Sequence, residues 1–125
     1  MISSQEQLED FAARLAAHAV IGLDTEADSL HCYREKICLV QVSSPEGGWL
    51  IDPLSGLDLS AFYSSLTRHR IIIHGADYDL RLLARHGSFH AGDIFDTSIA
   101  ARFLGLEQIG YGALVQQFFG VTLNK

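Results

Sequence analysis

Residues 21–30, IGLDTEADSL, carry an apolar run that ends abruptly in acid. Side chains of an extended strand alternate between its two faces, so residues two apart point the same way. Asp24 and Glu26 therefore project together, with Gly22 behind them leaving room for something to approach, while Leu23 and Thr25 face the opposite side. Two carboxylates this close repel unless a cation or a shared proton neutralises them. Oxygen-rich acidic sites are what Mg²⁺ and Mn²⁺ prefer. A polar strand end facing solvent explains an isolated Asp-x-Glu as well, so the weight falls on its surroundings.

Upstream, Ser3 stands three residues before Glu6, a capping-box spacing, and Leu8, Phe11, Ala12 and Leu15 follow at helical intervals. That pattern predicts a helix over residues 4–17. Downstream, KICLVQVSS (36–44) alternates Ile37, Leu39 and Gln41 against Cys38, Val40 and Val42, and GWLID (48–52) returns after a turn at residues 45–48. The short turn predicts an antiparallel hairpin. The pattern then changes. Residues 58–68 look helical, RIIIH (70–74) is a buried strand, and DYDLRLLARHG (77–87) is a helix closed by Gly87. GDIFD (92–96) is a short extended piece, DTSIAARFLG (96–105) a helix capped by Asp96, and YGALVQQFFG (111–120) a helix ending at Gly120. One helix, three consecutive strands, then alternating helices and strands predict an α/β fold: a mixed sheet with helices against it, in one domain over residues 1–125.

The chain has 125 residues, of which 48% are hydrophobic, which suits one folded domain with a real core. Its net charge of −6 argues against a protein held to nucleic acid by a broad basic surface. It does not exclude an enzyme that meets phosphates through metal ions, because bound divalent cations reverse the local sign. No apolar stretch approaches the ~20 residues of a membrane span, and MISSQEQLED lacks the marks of a secretory leader. Cys32 and Cys38 show no metal-ligand spacing, so a reduced, cytoplasmic setting is expected.

A second acidic group follows the second buried strand, in IIIHGADYDL. Strand ends beside helix N-termini are where open α/β sheets place their ligands. Asp77 is the better helix cap by position. Asp79, in the first helical turn, can turn toward the sheet edge and is the expected functional acid.

Taken together, IGLDTEADSLHCYREKICLVQVSSPEGGWLIDPL, IIIHGADYDLRLL, IFDTSIAARFLG and GVTLNK resemble the ribonuclease D-type 3′→5′ exonuclease domain of the DEDD superfamily, in order and from about residue 18 to the last. The resemblance implies a ribonuclease H-like fold. It implies that Asp24 and Glu26 of the DTE motif, with Asp79 of HGADYDL, are catalytic, metal-binding acids. It further implies two divalent ions, Mg²⁺ or Mn²⁺, at the 3′-terminal phosphodiester of RNA. One activates the attacking water, the other stabilises the leaving 3′-oxygen, and a nucleoside 5′-monophosphate is released. In the family the loop after the first motif receives the 3′-terminal nucleotide, which here points to Leu30 and His31.

The family's fourth acid lies in a helical YxxxD motif, and none of Tyr33, Tyr63, Tyr78 or Tyr111 has an acid four residues later. His74 stands five before Asp79, the spacing of the histidine-type enzymes, but in the second-motif position, and is read as coincidence. The domain is thus expected to be C-terminally incomplete, lacking the family's C-terminal helix. Its activity is left open, and a second copy is expected to cover the uncovered apolar surface. A non-catalytic nucleic-acid-binding or assembly module on the same fold is the alternative, and an RNase H-type endonuclease a third reading. Among the remaining residues, Asp52 reads as a turn residue and Asp28 as a solvated loop residue. Gln41 is expected to satisfy a buried backbone group, and Arg81 and Arg85 to be solubilising rather than phosphate-binding.

Overall fold

The computed structural model describes residues 1–28 and 35–124. Five strands form one sheet: β1 (Val20–Asp28), β2 (Lys36–Ser44), β3 (Gly47–Ile51), β4 (Arg70–Ile73) and β5 (Asp93–Asp96). Their order is β3-β2-β1-β4-β5. The first three are antiparallel neighbours, while β4 pairs parallel with β1 and β5 parallel with β4. Parallel neighbours need crossovers, and helices supply them. Among the described residues the α-helices are α1 (Gln5–Leu15), α2 (Ser60–Ser65), α3 (Asp77–Ala84), α4 (Thr97–Phe103) and α5 (Tyr111–Phe119), of which α2 leads into β4 and α3 joins β4 to β5. The mixed α/β sheet expected from the sequence is the one observed.

Local chemistry explains most boundaries. The capping box of α1 lies one residue later than its spacing suggested. Ser4 is the N-cap, its Oγ accepts from Gln7 N, and the Gln7 side chain accepts from the Ser4 backbone N–H. A glutamine at the third helical position serves the box as well as the glutamate at Glu6 would have. The β2–β3 hairpin turns through Pro45 and Glu46 alone, and Glu46 is tied back to Arg14 and His18. Asp52 is a turn residue as expected, accepting from Leu54 N at 2.9 Å. Asp28, read as a loop residue, instead ends β1 opposite Lys36.

One face of the sheet carries the core. Ile21 and Leu23 of β1, Val40 and Val42 of β2, Ile51 of β3 and Ile71 of β4 pack among the buried Leu8, Phe11 and Leu15 of α1, Phe62 of α2, and Leu82 and Leu83 of α3. Strand β4 is buried on this face only. Its Ile71 and Ile73 are inside, whereas Ile72, on the opposite face, is 39% exposed, so RIIIH is not the doubly buried strand its composition suggested.

Tyr63, packed between Phe62 and His86, is fully buried, and its hydroxyl has no hydrogen-bond partner among the described residues. Burial pushes its phenol up to about 12. An unsatisfied buried hydroxyl costs stability that a hydrogen atom does not. Tyr63→Phe is therefore expected to raise the unfolding free energy by about 1 kcal/mol in urea titrations. A loss of stability would reveal a partner for the hydroxyl.

Candidate functional site

The second face of the sheet holds the acidic strand end. Cross-strand register places Asp24 opposite Gln41 and Glu26 opposite Leu39, so both acids share one face, while Thr25 is buried on the other. The alternation read from the sequence holds. Gly22 lies on the acid face too, but the space its missing side chain leaves is filled by the Ser43 hydroxyl rather than left open. The β1–β2 register shifts between Glu26 and Ala27, just past the acids. Such irregularities re-aim side chains where strands end.

Asp79 reaches the same strand from the opposite layer. It sits in the first turn of α3, is only 6% exposed, and its Oδ1 accepts from both Thr25 N (2.9 Å) and Thr25 Oγ1 (2.5 Å). A buried carboxylate is tolerable only with such donors. The strand thus presents Asp24 and Glu26 on one side and clamps Asp79 through the residue between them.

The three acids feel one another. The Asp24 carboxyl is raised above its usual value, first by desolvation and then by the negative charges of Asp79 and Glu26. Gln41 Nε2, which donates to Asp24 Oδ2 at 3.0 Å, and the nearby His74 work in the other direction. Gln41 was expected to serve a buried backbone group. Its amide is on Asp24 instead, because the register sets the two side chains directly opposite. With Asp79 turned onto Thr25, no group of three or more His, Cys, Asp or Glu among the described residues is arranged to hold a metal ion as it stands. The donor chemistry fits a hard cation nonetheless: carboxylate oxygens, with Asp24 raised by desolvation and then by its acidic neighbours.

A trough of about 730 Å³ runs along this face, lined by Asp24, Gln41, Ser43, Leu50, Ile72 and His74, among others. His74, read as coincidental from its spacing, is thus part of the wall beside Asp24. Its Nδ1 lies 2.9 Å from Thr97 Oγ1. The same hydroxyl lies 3.2 Å from Ile73 O, so Thr97 ties the ring of His74 to the end of β4. Nothing in the spacing could have shown this, since Thr97 belongs to another crossover.

Asp77 is not the cap of α3. The N-cap position is Ala76, without a side-chain cap, and Asp77 pairs with Arg81 one turn on. The neighbouring amides are taken by Asp96. It accepts from Gly75 N (3.0 Å) and Ala76 N (2.8 Å) while also capping its own helix α4 through Ser98 N (2.8 Å) and Ile99 N (3.3 Å). Burial pushes the Asp96 carboxyl up, but the amides of Ala76, Gly75 and Ser98 outweigh it and hold it far below the usual carboxylate range. Arg81 and Arg85 are both engaged on the surface, Arg85 with Glu35 at 2.6 Å, in keeping with the solubilising role expected. Leu30 and His31 lie outside the described residues.

Because the folded-state value of Asp24 is raised, ionising it costs more in the native than in the unfolded chain. That cost is absent below the unfolded value near 4, where both states are protonated, and fully present above the folded value. Asp24→Asn, which keeps an acceptor for Gln41, should raise the melting temperature at pH 7 by about 2 °C, a figure discounted for solvent screening. The gain should vanish below about pH 4. Melting curves in chelator-treated buffer read it directly, and a pH-independent gain would remove the electrostatic explanation.

A family model described as a 3′-5′ exonuclease matches residues 1–125. A ribonuclease D of Sphingobium indicum is 37% identical over 130 residues, covering 100% of this chain but 34% of that protein. Escherichia coli RNase D, described as an exoribonuclease involved in structured RNA processing, superimposes with a TM-score of 0.89 at 29% identity, covering 100% of this chain and 34% of that one. The catalytic core of RRP6 from Trypanosoma brucei gives a TM-score of 0.88 at 27% identity, over 99% of this chain and 35% of that one. The chain thus spans about a third of the length of these relatives. The fold they share with it is the ribonuclease H-like arrangement implied by the sequence motifs.

Proposed function

Because this chain belongs to the 3′-5′ exonuclease family, we propose that it forms a metal-dependent exoribonuclease domain, residues 1–125, that trims RNA from the 3′ end and releases nucleoside 5′-monophosphates. One observation carries the reading. Asp24 and Glu26 share one face at the end of β1, and Asp79 is held by Thr25, the residue between them. These three acids are the proposed catalytic and metal-binding residues. Two divalent ions, Mg²⁺ or Mn²⁺, would supply Lewis-acid neutralisation of the phosphate and a more acidic water when bound. The carboxylates of Asp24 and Glu26 orient them from the strand, and Thr25 holds Asp79 in place. Water adds to the phosphorus, the bond to the 3′-oxygen breaks with a proton returned to that oxygen, and the nucleotide departs with a 5′-phosphate. Leu30 and His31 are the proposed receivers of the terminal nucleotide. RNA, rather than DNA, is favoured by the ribonuclease names of the relatives. A cytoplasmic setting belongs to the same reading, supported by two cysteines without metal-ligand spacing.

One observation favours a second reading, a non-catalytic nucleic-acid-binding or assembly module: the three acids are not arranged as a ready cation cage. The two separate on incubation with Mn²⁺ and a 3′-labelled single-stranded RNA. Nucleotide release that falls at least ~10³-fold in an Asp24→Ala, Glu26→Ala double variant supports the nuclease. RNA retained but uncut by both proteins, with Mn²⁺ titrating to the wild type alone, supports the module.

A second copy of the chain is the proposed occupant of the apolar surface on α4 and α5. Phe119 is 77% exposed, Leu104 70% and Phe118 60%, and all three line an apolar groove of about 240 Å³. Exposed apolar side chains gathered around one groove are the kind of surface that protein partners cover. Light scattering at rising concentration is expected to show a dimer, and Phe119→Glu, within the groove, to return it to monomer. A monomeric wild type removes this part of the proposal.

A further inference from the structure

Helix α3 begins without a side-chain cap of its own, yet it must hold Asp79 against Thr25 to within hydrogen-bond distance. We propose that Asp96, at the end of β5, is a positioning residue for Asp79: its carboxylate straps the β4–α3 turn and thereby sets the start of α3. The inference rests on the reading of Asp79 as a site acid and deepens it.

The four amides on Asp96 divide into two pairs. Ser98 and Ile99 belong to its own helix, an ordinary N-cap. Gly75 and Ala76 belong to the other crossover, twenty residues earlier, and satisfy nothing in α4. Gly75 has φ +73°, a left-handed turn that swings the chain from strand into helix. Its amide and the next would otherwise point out of the helix start unpaired. Oδ1 holds Gly75 and Oδ2 holds Ala76, so both oxygens are needed for both amides. Thr97 adds a second strap, with its hydroxyl between His74 Nδ1 and Ile73 O. Every bond of this lattice lands on residues 73–76, three to six before Asp79.

Thr25 N–H reports the consequence. It donates to Asp79 Oδ1, and its strand pairs with β4 only as far as Gly22, so no ladder bond from β4 protects it. Asp96→Ser separates the two duties, since a single hydroxyl can still cap α4 but cannot reach both amides of the other turn. Amide hydrogen exchange followed by NMR on the 125-residue chain tests the idea, with Asp79→Ala setting the Thr25 rate once the bond is gone. Thr25 exchange in Asp96→Ser is expected to rise at least tenfold toward that rate, while core amides of β2 and α1 keep theirs. Faster exchange at Gly75 and Ala76 with Thr25 unchanged would overturn the proposal, leaving Asp96 as a cap only. An equal rise at every core amide would overturn it too, because global stability would then be the cause. These rates do not depend on RNA cleavage. A chain that fails to cut RNA leaves the strap intact, and a failed strap leaves the nuclease assay unaffected as a test of Asp24 and Glu26.

Discussion

Thr25 is a core-facing residue of β1, and Asp79 donates nothing but accepts two bonds from it, one from the backbone and one from the hydroxyl. A carboxylate with 6% of its surface exposed is costly unless donors surround it. The pairing therefore constrains both elements at once. Helix α3 can lie only where Asp79 meets Thr25, and β1 can have only the register that turns Thr25 inward. A slip of one residue would put Asp24 or Glu26 into the core and leave Asp79 facing an acid. The face that Asp24 and Glu26 share is thus enforced from behind, by the residue between them.

What lies around that bond is a set of short crossovers whose ends cap one another. Strand β4 leads through a left-handed glycine into α3, and β5 leads through Asp96 into α4. Both strand-to-helix turns stand at the same end of two parallel neighbours. One carboxylate can serve two helix starts there because parallel strands bring their C-terminal ends side by side, and each start offers free amides pointing the same way. Capping bonds contribute on the order of 1 kcal/mol apiece, comparable to the loss of a buried methylene. For helices of seven and eight residues, too short to be stable alone, that is a large share of what keeps them formed.

The local periodicities were legible and the cross-chain partners were not. Alternation over Leu23, Asp24, Thr25 and Glu26 needs only a strand, and a strand's period is a property of the backbone. The turn at Asp52, the cap at Asp96 and the stop at Gly120 are likewise read within three or four residues of the bonds they make. Asp77 was misread as a cap for the same reason: its position is right locally, but the competing acceptor, Asp96, comes from another loop and has two oxygens to offer. Gln41 was misassigned because its partner depends on the β1–β2 register. His74 carried no usable spacing at all, since its ring is held by Thr97 and its neighbourhood set by the parallel pairing of β4 with β1.

The remaining tension is electrostatic, and it bears on how an acidic chain could meet a polyanion. With a net charge of −6 and carboxylates gathered at one strand end, the site repels phosphate as it stands. Desolvation first, and then the negative charges of Asp79 and Glu26, raise Asp24 despite an amide donor on its oxygen. A divalent cation relieves both at once, because it lowers the cost of the clustered carboxylates and inverts the sign presented to the ligand. Affinity for the cation and affinity for the phosphate are then linked, each raising the other. A basic surface would bind nucleic acid along its whole length. On the proposed reading, acids that first recruit metal would bind it only where the metal sits, at the strand end where Thr25, between Asp24 and Glu26, holds Asp79.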